Sequence, residues 1–186
     1  MGATGCAEKG FLPVMEALID DLARDLDTAF PLVVETMGSQ VFWGLRRLCG
    51  DHQEAEDLTQ ETFIRAYRAL DGYERERILA LQLRPWLWTI AMNLGRNHLR
   101  DRSRRPTYVE LKVDSGEDDP EPIDETAWDA RLSRLNAHQR TAVVLRHIAG
   151  LGTAEIAEVT GRPEGTVKAD IHRGLSRLRQ IMEEES

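Results

Sequence analysis

Cysteine is scarce in this chain: Cys6 and Cys49 are the two among 186 residues. That is too few for a disulfide framework and suits a reducing, cytoplasmic compartment. Long apolar runs are also missing, so neither a secretory leader nor membrane insertion is expected. There is no Gly-rich phosphate loop, and no Ser, Cys or Thr is set beside a base in a nucleophile pattern. Cys49-Gly50-Asp51-His52 has the spacing of half a metal site. Without a second pair it falls short of zinc's four ligands and reads as a helix-ending turn. These absences argue against an enzyme, and no cofactor or metal is expected.

Basic residues are outnumbered, 24 Lys and Arg against 32 Asp and Glu, giving a net charge of −8. Taken globally, that argues against nucleic acid, but the charge is segregated. Asp114, Glu117, Asp118, Asp119, Glu121, Asp124, Glu125 and Asp129 fall in one stretch with no Lys or Arg. Ser115, Gly116, Pro120 and Pro122 break the same stretch, which is too polar to build a core of its own. It predicts a flexible acidic linker over 106–128. Either side of it the balance reverses. Between Asn93 and Arg105 five arginines face one acid, Asp101, and Arg162–Gln180 holds five basic residues against two acidic ones.

The C-terminal stretch, Leu135 to Met182, reads as two helices, a short break and a last helix. Gly161-Arg162-Pro163 supplies the break, because Gly admits positive φ and Pro presets the first helical turn. In the helix before it, Ile156 and Ala157 supply the buried side. After it, Val167, Ile171, Leu175 and Leu178 form an apolar stripe. Thr166, Lys168, Ala169, His172, Arg173 and Ser176 lie opposite. A helix apolar on one face and basic on the other, entered through a tight turn, suits the major groove. The same pattern occurs in ordinary helical bundles, so on its own it leaves both readings open.

Two further blocks carry chemistry. Glu54 to Leu70, EAEDLTQETFIRAYRAL, has a mixed apolar seam through Ala55, Leu58, Thr62, Ile64, Ala66 and Leu70. Its first turns hold Glu54, Glu56, Asp57, Gln60 and Glu61, either as helix-dipole complement or as a polar docking face. Arg84 to Arg105, RPWLWTIAMNLGRNHLRDRSRR, puts Trp86, Leu87, Ile90, Ala91, Leu94 and Leu99 at helical spacing beside its arginine cluster. Such a cluster anchors phosphates without reading sequence. Asn93 lies beside that cluster with an amide that both donates and accepts. Trp88 is open to core packing or to stacking on unpaired bases; Trp86 reads as core.

Together, GLGTAEIAEVTGRPEGTVKADIHRGLSRLR, DLTQETFIRAYRAL and RPWLWTIAMN resemble bacterial RNA polymerase sigma factors of the extracytoplasmic-function (ECF), sigma-70-like group. The resemblance covers about 28–105 and 135–182. It implies an all-α chain of two small helical domains, a region 2 bundle and a region 4 helix-turn-helix, joined by the acidic linker. The expected organisation is an N-terminal extension at 1–27, region 2 at 28–105, the linker at 106–128 and region 4 at 129–186. It implies −35 recognition by Arg146, Arg162, Thr166, Lys168, Ala169, His172 and Arg173. For the opened −10 strand it implies Tyr73, Trp88, Asn93, Arg96, Asn97, Arg100 and Arg104. Core polymerase docking would fall to Glu54, Glu56, Asp57, Gln60 and Glu61. Promoter DNA, core RNA polymerase and an anti-sigma factor are the partners implied.

Three departures stand out. The connection from Tyr73 to Trp86, ERERILALQLRP, is longer than the family's usual one and contains Ile78, Leu79, Leu81 and Leu83. Asp170 stands where the family often has a basic residue, and is expected either to accept from a cytosine amino group or to point away from DNA. Val14, Leu18, Leu22 and Leu26 predict an additional amphipathic helix, either a cap on region 2 or a cover over a polymerase-binding face. The rival from another class is a stand-alone helix-turn-helix regulator, which leaves DLTQETF and WLWTIAMN without a role.

Overall fold

In a computed structural model, which describes residues 6–104 and 125–185, every regular element is a helix. α1 (Cys6–Arg24) ends one residue before Asp25, and α2 (Leu26–Cys49) begins after it. The stripe predicted through Leu26 is therefore interrupted. Asp25 is the reason: its backbone is extended and its carboxylate accepts from the Thr28 N–H at 3.2 Å and the Thr28 hydroxyl at 2.7 Å. An Asx side chain in that role satisfies donors a new helix leaves open. The Thr28 bonds hold the Asp25 carboxyl below its usual range.

α2 closes at Gly50, whose φ of 81° allows its N–H to reach back to the Arg46 carbonyl. Cys49-Gly50-Asp51-His52 is thus a helix-ending turn, and Asp51 caps the next helix, α3 (His52–Asp71), by accepting from the Glu54 N–H at 2.9 Å. The connection after Tyr73 forms a short helix, α4 (Arg75–Leu79). α5 (Leu83–Arg104) follows. Beyond it come α6 (Glu125–Ser133), α7 (Ala137–His147), α8 (Thr153–Thr160) and α9 (Glu164–Glu184). Helix α6 begins inside the stretch predicted as linker, which shortens that linker at its C-terminal end. Residues 105–124 lie outside the described residues.

Helices α2, α3 and α5 pack on one another around Val33, Met37, Val41, Leu45, Ala55, Ala66 and Leu87. α1 buries Met15, Leu18 and Leu22 and lies against α2 and α4. The extension and the lengthened connection therefore cover each other, with Ile78 of α4 buried and Leu81 partly buried in the same core. Of the two readings for the extension, this packing favours the cap. The C-terminal helices pack around α9, which meets α6, α7 and α8. Gly174 makes the closest approach, since a Cβ there would come within 2.7 Å of Val143 Cγ2.

The two halves share one apolar core, with α8 laid on α5 and α7 on α2. Leu145, Leu151, Ile156 and Val159 from the second half join Leu45, Leu58 and Met92 from the first. Polar ties run along the same seam. Asp129 of α6 meets Arg46 at 3.0 Å and also Arg47 of α2. Arg84 donates to the Gly150 carbonyl at 2.8 Å. Among the described residues no helix is long and apolar enough to cross a membrane.

Candidate nucleic-acid interface

Helix α9 is entered as the sequence demands. Gly161 adopts φ 67°, its N–H returning to α8, and the Arg162 N–H reaches the Ala157 carbonyl at 3.1 Å. Pro163 then leads into the first turn, where the Thr166 and Val167 N–H groups bond its carbonyl at 2.9 and 3.1 Å. The buried face is Val167, Asp170, Gly174, Leu178 and Ile181, turned from the expected stripe. Ile171 is only half-buried and Leu175 is exposed. Close packing at Gly174 against Val143 and Gln139 of α7 sets that rotation.

This rotation leaves Lys168, His172 and Arg173 exposed, with Thr166 and Ala169 half-buried beside them. Arg146, at the end of α7, is exposed while donating to the Leu151 carbonyl at 3.0 Å. It therefore braces the α7–α8 turn whatever else it touches. Asp170 is buried at 4% exposure, which agrees with the second of its two readings, a side chain turned away from the DNA-facing surface. Its Oδ1 accepts from Arg173 Nη2 at 2.9 Å, and its Oδ2 pairs with Arg162 Nη1. Burial by itself would raise the carboxyl's pKa, but the hydrogen bonds from Arg173 and Arg162 outweigh it and hold it low. Sequence reasoning missed this triad. The i, i+3 spacing of Asp170 and Arg173 is a legible signal, whereas Arg162 joins only through the turn.

On α5, Asn93, Arg96, Asn97 and Arg100 are exposed on one side. Arg96 Nη2 lies 3.1 Å from Asn93 Oδ1, and Arg100 Nη2 lies 3.2 Å from Asn97 Oδ1. Each arginine thus orients an amide one turn before it. Arg96 also donates to the Val159 carbonyl of α8 at 3.3 Å. Arg104 ends the helix, and its side chain lies outside the described residues. Tyr73 is half-buried, edge-on to Trp86 at 6.2 Å, with the Arg77 guanidinium 3.6 Å from its ring centre.

Trp88 is a correction. It is fully buried, with its ring against Gly44, and has no face for a base. Trp86, read as core, is the partly exposed one. Helical spacing does not separate the two positions, because α5 is covered on several sides, by α2, α3 and α8. In α3 a similar shift occurs: Phe63 is buried and Ile64 is 44% exposed.

The polar side of α3 is open to solvent in part. Glu56, Asp57 and Gln60 are exposed, while Glu54 and Glu61 are half-buried. His98 Nε2 of α5 sits 3.2 Å from Glu54, and Arg65 lies 2.5 Å from Glu61. His52 meets Glu56 at 3.3 Å. Between the two halves lies a cavity of about 240 Å³, lined by Leu45, Leu48, Cys49, Met92, Ile156 and Val167 among others. Burial pushes the Cys49 thiol up, against the thiolate form that cysteine chemistry needs.

Comparison with known proteins gives two family matches, Sigma-70 region 2 over residues 33–105 and Sigma-70, region 4 over residues 126–178. The RNA polymerase sigma-H factor of Pseudomonas aeruginosa is 30% identical over 90% of this chain and 93% of its own length. The ECF RNA polymerase sigma factor SigW of Bacillus subtilis is 31% identical over 82% and 88%. Two solved structures share the fold. CnrH, in complex with the cytosolic domain of CnrY, has a TM-score of 0.69 at 22% identity, covering 92% of this chain and 98% of that one. The sigma factor RpoE of Bartonella quintana, in complex with the anti-sigma factor NepR, has a TM-score of 0.68 at 24% identity, covering 83% and 96%.

Proposed function

Because this chain belongs to the ECF group of RNA polymerase sigma factors, and so is an alternative sigma factor for transcription initiation, we propose how its surfaces divide that work. Region 2 spans 28–105, with the N-terminal extension capping it, and region 4 begins at α6. Lys168, His172 and Arg173 enter the −35 major groove, with Thr166 and Ala169 at its edge and Arg146 and Arg162 toward the backbone. Asn93 takes a base of the opened −10 strand, while Arg96, Asn97, Arg100 and Arg104 follow its phosphates and Tyr73 borders the pocket. Glu56, Asp57 and Gln60, flanked by Glu54 and Glu61, meet core polymerase.

The observation that carries this reading is one chain presenting three exposed polar surfaces. These are the basic face of α9, the amide and arginine row of α5, and the acidic start of α3. A stand-alone helix-turn-helix regulator uses the first and leaves the other two idle. Contacts to phosphate fix register and contacts to base edges fix sequence, so the arginine row and Asn93 divide those tasks. The chain acts as a regulator without catalysis of its own, in the cytoplasm with the polymerase. An anti-sigma factor is the third partner; the RpoE neighbour, solved with NepR, supports it.

The test is run-off transcription with purified core polymerase on a pool of genomic promoter fragments. Selective starts that depend on this chain are expected. Core binding with no starts, or no core binding, overturns the assignment of these surfaces.

A further inference from the structure

Asp170 is the one charged side chain buried among the described residues. It lies on the second turn of α9, between an arginine from the entry turn and an arginine one helical turn further along. Arg173 is 59% exposed at its side chain and Arg162 26% exposed. Each gives Asp170 one N–H of the five a guanidinium carries, so both keep donors for DNA. An arginine free in solution loses rotamer freedom when it engages a base or phosphate, and a carboxylate that fixes it beforehand lowers that cost. The same carboxylate removes one positive charge from the surface, which weakens attraction to any phosphate backbone regardless of sequence.

From this geometry we propose that Asp170 is a specificity-determining positioning residue: it aims Arg162 and Arg173 at the −35 element while lowering affinity for other DNA. The proposal rests on the assignment of both arginines to the −35 interface. Asp170 touches no base, and its effect is on the ratio of specific to non-specific binding.

Asp170→Asn tests it, in full-length protein reconstituted with core polymerase. The probes are a duplex promoter fragment recovered from the run-off selection and the same fragment with its upstream element scrambled. The specificity ratio is expected to fall about tenfold, the scale of one oriented base contact. Binding to the scrambled duplex is expected to hold or rise, with a salt slope steeper by about one. An unchanged ratio overturns the proposal, and so does a parallel loss on both duplexes, which marks a carboxylate that serves folding alone. If D170N loses its helical signal, Asp170→Glu keeps the charge and moves the carboxylate by one methylene. The ratio must then fall without a steeper slope, and an unchanged ratio again overturns the proposal. Arg162→Gln and Arg173→Gln are run alongside. If neither affects the upstream element, the −35 assignment itself fails, a result distinct from failure of D170N alone.

Discussion

The ring of Trp88 on α5 occupies the space that a side chain on Gly44 of α2 would take. Two helices of the region 2 bundle therefore meet ring against backbone, and the glycine is needed for its missing Cβ rather than for its φ. Gly44→Ala forces the indole out of a closed core. A loss of about 1–3 kcal/mol is expected from overpacking, measured by chemical denaturation.

Trp88 itself gives the companion prediction. Its indole N–H is buried with no hydrogen-bond partner, so Trp88→Phe removes an unmet donor along with some volume. Trp88→Ala is expected to cost about 3–5 kcal/mol. Phe is expected to cost far less and to leave −10 selectivity unchanged. A changed −10 preference in W88F would return this residue to the DNA surface.

Asn93 is exposed with its carbonyl oxygen engaged by Arg96, which leaves the amide N–H₂ for a base. Asn93→Ala is expected to impair −10 discrimination or promoter opening while core polymerase binding stays intact. Permanganate footprinting of the −10 strand, beside a polymerase pull-down, separates the two effects.

Lys168→Ala is expected to weaken −35 binding and to reduce the salt slope by about one if the ammonium meets a phosphate. A base contact gives a different signature, with selectivity relaxed at one position and the slope kept.

Acid is expected to unfasten the entry to α9. The Asp170 carboxyl is held below its unfolded value, so its ion pairs stabilise the fold above the ordinary carboxylate range. That contribution is lost as pH falls through the depressed value, below about pH 4. Wild type is expected to lose more stability over that window than D170N, as read by thermal melts. Equal slopes for the two proteins would remove Asp170 from the account.

Much of this architecture was legible in local pattern. Gly161-Arg162-Pro163 announces its turn because only certain residues tolerate that backbone, and Asp51 and Gly50 mark their helix ends likewise. What escaped depends on distant partners. Trp88 is the more deeply buried of the two tryptophans because Gly44 of α2 leaves room for its ring, while Trp86 packs at the edge of the same core. The stripe of α9 is rotated because Gly174 lets α7 approach closely. Asp170 looked like a surface residue, since Arg162 reaches it only once the turn is folded. Leu26 looked continuous with α1 until Asp25 capped the next helix.

The bond from Arg96 to the Val159 carbonyl ties α5 to α8, the first helix of the helix-turn-helix. Elements at −35 and −10 lie about 25 base pairs apart, roughly 85 Å of duplex at about 3.4 Å per step. Under the proposed division of surfaces, α5 and α9 packed in one body do not span that distance, and the halves must part to engage one promoter at both ends. The 20 residues from 105 to 124 reach about 70 Å when extended, enough to allow the readers to part. Core polymerase has to supply the difference in free energy, and the closed population sets how much of it is required. Asp129→Asn, which loosens Arg46 and Arg47, is expected to raise the radius of gyration of the free chain in small-angle scattering. It is also expected to lower the polymerase concentration at half-maximal transcription. If both outcomes hold, the seam between the halves is a threshold that sets how strongly this chain competes for a limited pool of polymerase.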